Sequence, residues 1–292
     1  MKLQYEWLIG IALGMCIAAC ASEDGDTDSE DSASGESDGD ADGDTDGDAD
    51  AGDPGDPWPE DSRIIYLHHS TGGVIWGGGV AEGVETYNTE NGTSYSIEER
   101  SYPNDPYPWN NYPYDYYNIW VANAGDEPFN EQDTLEILTA DYNVVMFKHC
   151  YPVSGVGEDT GSPDITSSTK SIENYMLQYE ALKTKLHTFP DTRFIVWTGA
   201  ALIESATSPE NAERARTFFE WVIDTWDEPG DNIFVWDFLQ LETEGGLYLL
   251  PEYSSGDSHP NDTFAAQVAP LFVNRLVDVL EGRGDTGSVT GE

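Results

Sequence analysis

Two short stretches of the chain hold residue types that can act together as a nucleophile, a base and an orienting acid. The first, IIYLHHSTGG (64–73), is a run of β-branched and aromatic residues that stops at Ser70. The second, SSGDSHPND (254–262), holds Asp257 and His259 in one turn-rich loop. A serine hydroxyl attacks an acyl carbonyl when a histidine takes its proton and an acid orients that histidine. We therefore predict that these three side chains meet.

The other histidines are less suited to serve as the base. His68 and His69 precede Ser70 in the same predicted strand, where neighbouring side chains point to opposite faces and do not turn back onto the next residue. His149 ends another predicted strand, and His187 lies in an amphipathic helix. Their scattered spacing also disfavours a shared metal, so the sequence predicts neither a metal nor another cofactor.

The segments that must position these residues alternate between strand and helix patterns. Near-continuous apolar runs, typical of strands buried on both faces, occur at 64–69, 142–148, 193–199 and 232–238, with a weaker one at 94–100. Three apolar stripes of helical period follow, within 172–186, 215–226 and 264–280. This alternation predicts an α/β fold, a three-layer α/β/α sandwich around a mainly parallel sheet.

In such a fold, ligands bind outside the carboxyl ends of the strands. Ser70, Lys148, Gly199 and Asp237 all lie at or near predicted strand ends. We therefore expect the functional crevice along this edge of the sheet.

Charge and glycine pattern exclude some classes of protein. With 12 basic and 56 acidic residues, the formal net charge is -44, which argues against nucleic acid or anionic lipid as partners. The glycines after Ser70 lead into no lysine of the kind that a phosphate-binding loop requires. A nucleotide-binding function is therefore disfavoured.

The first 61 residues predict export and tethering. The apolar run within residues 1–19 has the length of a signal peptide and ends in Ile-Ala-Ala before Cys20, which resembles a bacterial lipobox. Residues 20–61 form an acidic, low-complexity stretch that we predict to be a disordered linker. Its Asp-Gly repeats lack the glutamate and flanking helices of a calcium-binding EF-hand. The sequence therefore predicts a lipid-anchored protein of a bacterial cell envelope, at the outer membrane or cell surface.

Together, the serine after the first strand, the late Asp-His loop and the alternating βα units resemble the SGNH (GDSL-like) hydrolase superfamily over residues 62–282. The resemblance implies a flavodoxin-like α/β/α fold and ester hydrolysis or acyl transfer. It implies Ser70 as the nucleophile, His259 as the base and Asp257 as its orienting acid. Residues 283–292 are predicted to be a disordered tail.

The chain departs from the family in three motifs. His68-His69-Ser70 replaces Gly-Asp-Ser, and Asp257-Ser258-His259 is one residue shorter than Asp-x-x-His. Lys148-His149-Cys150-Tyr151 replaces Gly-x-Asn-Asp, so the asparagine that would donate to the oxyanion is missing. The Ser70 and Thr71 amides, Lys148 and His149 are the substitute oxyanion or substrate contacts that we consider.

Several residues have alternative interpretations. Ser70 can cap a helix, Asp257 can close a turn, and Asp237 can replace it as the orienting acid. Cys150 is a candidate thiol nucleophile, although a single cysteine at a strand end is usually buried and inert. The aromatic segment 101–120 suits either stacking against sugar rings or packing on its own core.

The prediction is a serine hydrolase of the esterase or deacetylase type acting on acylated carbohydrate or related esters. The alternatives are a carbohydrate-binding lipoprotein without catalysis and an O-acyltransferase on the same scaffold.

Overall fold

The computed structural model describes residues 55–292. The predicted signal peptide, Cys20 and the predicted linker up to residue 54 lie outside the described residues. Within 55–292 the chain forms one parallel sheet in the order β2-β1-β3-β4-β5, which is the flavodoxin-like order. Its strands are β1 (Arg63–His68), β2 (Ser96–Ser101), β3 (Val144–Phe147), β4 (Arg193–Trp197) and β5 (Ile233–Trp236). The predicted α/β fold is confirmed, and the weak strand pattern at 94–100 corresponds to the edge strand β2.

Helices connect the strands and cover both faces of the sheet. They are α1 (Thr71–Trp76), α2 (Val80–Asn91), α3 (Pro113–Tyr117), α4 (Leu135–Asp141), α5 (Ile172–Leu186), α6 (Pro209–Trp221), α7 (Phe238–Thr243) and α8 (Asp262–Leu280). Short π-helical turns at Asn118–Ala122 and Val222–Trp226 follow α3 and α6 directly. All three predicted helical stripes therefore lie on helices, although the second runs on into a π-helical turn.

Alternation along the strands divides the core into two layers. In β1, Ile65 and Leu67 face the layer that contains α5 and α6, whereas Ile64 and Tyr66 face the layer that contains α8. All four side chains are fully buried. A strand with both faces covered shows no polar alternation, which explains the continuous apolar run in the sequence.

Close packing between α1 and α8 brings the segment before α8 toward the end of β1. A Cβ atom at Gly78, just after α1, would lie 2.4 Å from the backbone oxygen of Ala265 in the first turns of α8. Only a residue without a side chain permits this approach. The start of α8 therefore lies next to α1, whose own start follows Ser70.

The two ends of the predicted domain need correction. The tail 283–292 was predicted to be disordered, but its carbonyls accept hydrogen bonds from the core: Val289 from the Asp237 amide (2.8 Å) and Thr290 from Trp236 Nε1 (2.9 Å). At the other end, Trp58 of the predicted linker donates its amide to Leu280 (2.7 Å) and its ring lies under the Arg193 guanidinium. Backbone groups next to β5 and at the end of α8, together with the side chains of Trp236 and Arg193, bind these segments, and composition alone does not reveal these contacts.

The aromatic segment 101–120 packs mainly into the core. The side chains of Tyr102, Tyr107, Tyr112, Tyr116 and Trp120 are nearly or completely buried. The second of the two interpretations of this segment therefore describes most of its rings, which fill the space beside β1 and β3. Trp109 is a partly exposed exception.

A buried carboxyl group gives a prediction for the pH dependence of stability. Asp227 follows the second π-helical turn, and its Oδ1 has no hydrogen-bond partner within residues 55–292. Burial, reinforced by the charge of Asp231, raises its pKa from the ordinary value of 3.8 to about 7. The folded state therefore keeps the proton up to about pH 7, whereas the unfolded chain releases it near pH 4. The stability that this group contributes is fully present below about pH 4 and is lost as the pH rises to about 7.

We expect Asp227→Asn to raise the free energy of unfolding at pH 8 relative to wild type, by about 2 to 4 kcal/mol more than it does at pH 4. Urea denaturation at the two pH values measures this difference. The same substitution at the exposed Asp224 is the matched control. An equal effect of Asp227→Asn at both pH values would show that folding does not raise the pKa of Asp227.

Candidate active site

Ser70 lies in a backbone conformation that only a few residue types adopt readily. It stands between β1 and α1 with φ 52° and ψ -109°, and it occupies the N-cap position of α1 without any side-chain capping bond. A positive φ costs free energy in a residue with a Cβ, and such strain is concentrated at functional sites. The hydroxyl instead makes a short hydrogen bond with His259 Nε2. The side chain therefore does not cap the helix.

The glycine two residues after Ser70 allows the chain to turn sharply into α1. A Cβ atom at Gly72 would lie 2.4 Å from the hydroxyl of Tyr66 and 2.5 Å from the Cβ of His68. The first turn of α1 thus packs directly on β1. This contact sets where the Ser70 side chain emerges.

The loop that carries Asp257 and His259 is closed by its own hydrogen bonds. Asn261 caps α8 by accepting from the Phe264 amide (2.9 Å), and its side-chain amide donates to the carbonyls of Glu252 (2.8 Å) and Ser254 (3.2 Å). The Ser255 amide donates to the His259 carbonyl (2.9 Å). One asparagine thus anchors both the loop and the helix start, which holds the histidine toward β1.

The carboxylate of Asp257 contacts both the imidazole and the backbone of His259. His259 Nδ1 lies 3.0 Å from Asp257 Oδ1, and the same oxygen accepts the His259 backbone N–H at 2.8 Å. These bonds from His259 lower the pKa of Asp257 below its ordinary value. A carboxylate that accepts from Nδ1–H leaves Nε2 free to accept a proton from Ser70. The Asp257 side chain is 66% exposed and that of His259 35%, so both groups are open to solvent.

Tyr151 supports this loop from the end of β3. Its hydroxyl donates to the Ser258 carbonyl (2.6 Å), and its ring packs edge-on against the His259 ring at 5.5 Å between centroids. Thr71 Oγ1 lies 3.5 Å from the same hydroxyl. Tyr151 thereby connects the serine segment to the histidine loop. Sequence reasoning assigned it no role, and its only signal was its position after a strand.

The candidate oxyanion contacts occupy different environments. The amides of Ser70 and Thr71 donate to no acceptor within residues 55–292. Lys148 is fully buried, and its ammonium donates to the His69 carbonyl at 3.3 Å. His149 is also fully buried and lies 2.8 Å from the Tyr179 hydroxyl, so its side chain does not reach the opening.

The other candidates from the sequence lie apart from the serine and histidine. Asp237 accepts from the Thr198 hydroxyl (2.7 Å) and caps α7, so it does not contact His259. Cys150 is half-buried, with its sulfur 3.7 Å from the Lys148 ammonium. Within the described part of the chain, no group of three or more histidine, cysteine, aspartate or glutamate residues can hold a metal ion.

Two aromatic rings, those of His69 and Trp109, lie next to the Ser70 segment at the rim of the candidate site. The His69 ring stacks on Trp109 with centroids 3.9 Å apart, and His69 Nε2 lies 2.6 Å from the Pro103 carbonyl. A cavity of about 590 Å³ borders the histidine loop at Ser254 and Gly256. Apolar side chains line most of it, chiefly Ile203, Leu247, Tyr248, Leu249, Leu250 and Pro251.

No protein family and no curated protein matches the sequence. Among solved structures, the chain is similar to a gut microbial diltiazem-metabolizing enzyme (16% identity, TM-score 0.45), covering 80% of this chain and 49% of that one. It is also similar to an acetyl xylan esterase (14%, 0.43), covering 71% of this chain and 96% of that one. A third is a Streptococcus pneumonia protein described as a platelet activating factor (11%, 0.41; 74% and 83%).

This chain spans about half the length of the first of these proteins. At these TM-scores the likenesses carry no argument about function.

Proposed function

We propose that the protein is a serine hydrolase that cleaves esters, with Ser70 as the nucleophile, His259 as the general base and Asp257 as the orienting acid. The observation that carries the proposal is the continuous chain of hydrogen bonds from Ser70 Oγ through His259 to Asp257. Ser70 and His259 are 189 positions apart in sequence, and chance rarely brings such a pair into contact at the ligand-binding edge of a parallel sheet.

The geometry supports the following reaction. His259 Nε2 takes the Ser70 proton as Oγ attacks the ester carbonyl, and the imidazolium then donates that proton to the leaving alkoxide. Water attacks the acyl-serine in the second half, with the same nitrogen first removing and then returning a proton. The unpaired amides of Ser70 and Thr71 are the donors available to the oxyanion of each tetrahedral intermediate.

As the substrate we propose acylated carbohydrate or a related ester. Support comes from the partly exposed Trp109, whose position next to His69 offers an aromatic surface at the rim of the site. We also propose that the protein is anchored by a lipid at the bacterial cell envelope. Support comes from the lipobox-like sequence that ends at Cys20.

Assays on acetylated xylan and p-nitrophenyl acetate test the proposed function. We expect the wild-type protein to release acetate from both substrates, and the release of free acetate to continue when a sugar acceptor is added. Acetyl transfer to the added sugar in excess of hydrolysis would make the protein an acyltransferase. Retention on the polysaccharide without any acetate release would make it a binding protein and contradict the proposal.

A further inference from the structure

Lys148 begins the segment that replaces the Gly-x-Asn-Asp motif, and it contacts the backbone next to the proposed nucleophile. Lys148 is the first residue after β3, and its side chain is completely buried. Its ammonium donates to the carbonyl oxygen of His69 at 3.3 Å, and the Gly72 amide donates to the same oxygen at 2.9 Å. This carbonyl belongs to the same peptide unit as the Ser70 N–H.

A peptide unit transmits polarisation from one end to the other. Because its C=O and N–H are conjugated, a donor at the oxygen shifts electron density away from the nitrogen and makes the N–H a better donor. A charged donor has a larger effect than a neutral one. The 69–70 peptide is trans, so the Ser70 N–H points away from Lys148.

We propose that Lys148 is a positioning residue for the oxyanion site: it holds and polarises the 69–70 peptide, so that the Ser70 N–H binds the developing oxyanion more strongly. The inference rests on the proposed hydrolase function. In this arrangement the ammonium lies on the carbonyl side of the 69–70 peptide, opposite the Ser70 N–H. The sequence suggests that Lys148 contacts the substrate directly, but a fully buried ammonium cannot make that contact.

A second buried lysine provides a matched control. Lys183 is 8% exposed and donates to the Trp226 carbonyl at 2.7 Å, as Lys148 donates to that of His69. Lys183 lies on α5, and its acceptor is in the second π-helical turn, away from the Ser70 segment. Lys183→Met removes the same kind of bond, together with an ion pair to Glu228 (2.7 Å), without touching the proposed oxyanion site.

The test compares Lys148→Met with Lys183→Met by steady-state kinetics on p-nitrophenyl acetate. One oxyanion donor contributes about 10²- to 10³-fold to kcat. Weakening such a donor is therefore expected to lower kcat about 10- to 100-fold in Lys148→Met, with KM changed less than about threefold. The affinity for a trifluoromethyl ketone, which forms a tetrahedral oxyanion adduct, should fall by the same factor. Lys183→Met should keep the wild-type kcat even where it lowers the melting temperature.

Lys148→Gln covers the case in which the methionine variant does not fold. It keeps a neutral donor, so its kcat should lie between those of wild type and Lys148→Met. A kcat for Lys148→Met or Lys148→Gln equal to that of Lys183→Met would overturn the inference and leave the hydrolase intact. An inactive wild-type protein would overturn the proposed function itself, and the inference with it.

Discussion

Ser70→Ala is expected to abolish ester hydrolysis, lowering kcat for p-nitrophenyl acetate by about 10³- to 10⁶-fold. Loss of the nucleophile in a serine hydrolase has an effect of this size, and the residual rate comes from the oxyanion donors and binding alone. The fold should persist, because the Ser70 hydroxyl caps no helix and its hydrogen-bonded partner, His259, is partly exposed. The melting temperature should therefore stay near that of wild type.

Ser101→Ala is the matched control for this prediction. Ser101 ends β2, the neighbour of β1 in the sheet, and its side chain is exposed. The control variant should retain wild-type turnover. If the wild-type protein hydrolyses the ester, unchanged turnover in Ser70→Ala would remove this serine from the mechanism.

His259→Ala is the second change with a large expected effect. Without the base, Ser70 remains protonated at neutral pH, so kcat should again fall by about 10³- to 10⁶-fold. Because the histidine side chain is partly open to solvent, added imidazole should enter the space left and restore part of the activity. His187→Ala is the matched control. This histidine follows α5 and lies 2.9 Å from Asp231, so its loss should leave kcat unchanged.

Asp257→Asn is expected to lower kcat less than the loss of Ser70 or His259 does. An asparagine amide can donate to Nδ1 and favour the tautomer whose Nε2 carries the proton, which cannot accept one from Ser70. The Asp257 side chain is 66% exposed, so water competes for the imidazole and a smaller loss of about 10²-fold is expected. A loss as large as that of His259→Ala would mean that Asp257 has a role beyond orientation. Full activity without His259, with no response to imidazole, would contradict the assignment of the base.

Much of the fold follows from local pattern. Strands such as β1 are buried on both faces and read as uninterrupted apolar runs, and α5 and α8 show clear helical stripes. The spatial pairing of Ser70 with the 257–259 loop was also predictable, because all parallel strands end at one edge and the loop directly precedes the closing helix. These features depend on short-range sequence signals and on general rules of topology.

What escaped prediction depends on contacts between distant residues. The burial of Tyr102 and Tyr116 is decided by the space beside β1 and β3, and a composition that suits sugar binding suits this core equally well. The tail at 283–292 is held through its backbone carbonyls, for which the sequence carries no signal. Likewise, Lys148 was recognised as a strand-end charge, but its hydrogen bond to the His69 carbonyl depends on the register of β1 against β3.

Covalent labelling with a fluorophosphonate, followed by peptide mapping, tests directly whether Ser70 is an activated nucleophile. Cleavage after Arg63 and Arg100 releases one peptide that contains Ser70 together with Ser94 and Ser96, so fragmentation must locate the adduct. We expect a single phosphonylated residue, Ser70, and no labelling in His259→Ala on the same time scale. An adduct on Cys150 or on another serine, or no adduct on active protein, would contradict the assignment of Ser70 as the nucleophile.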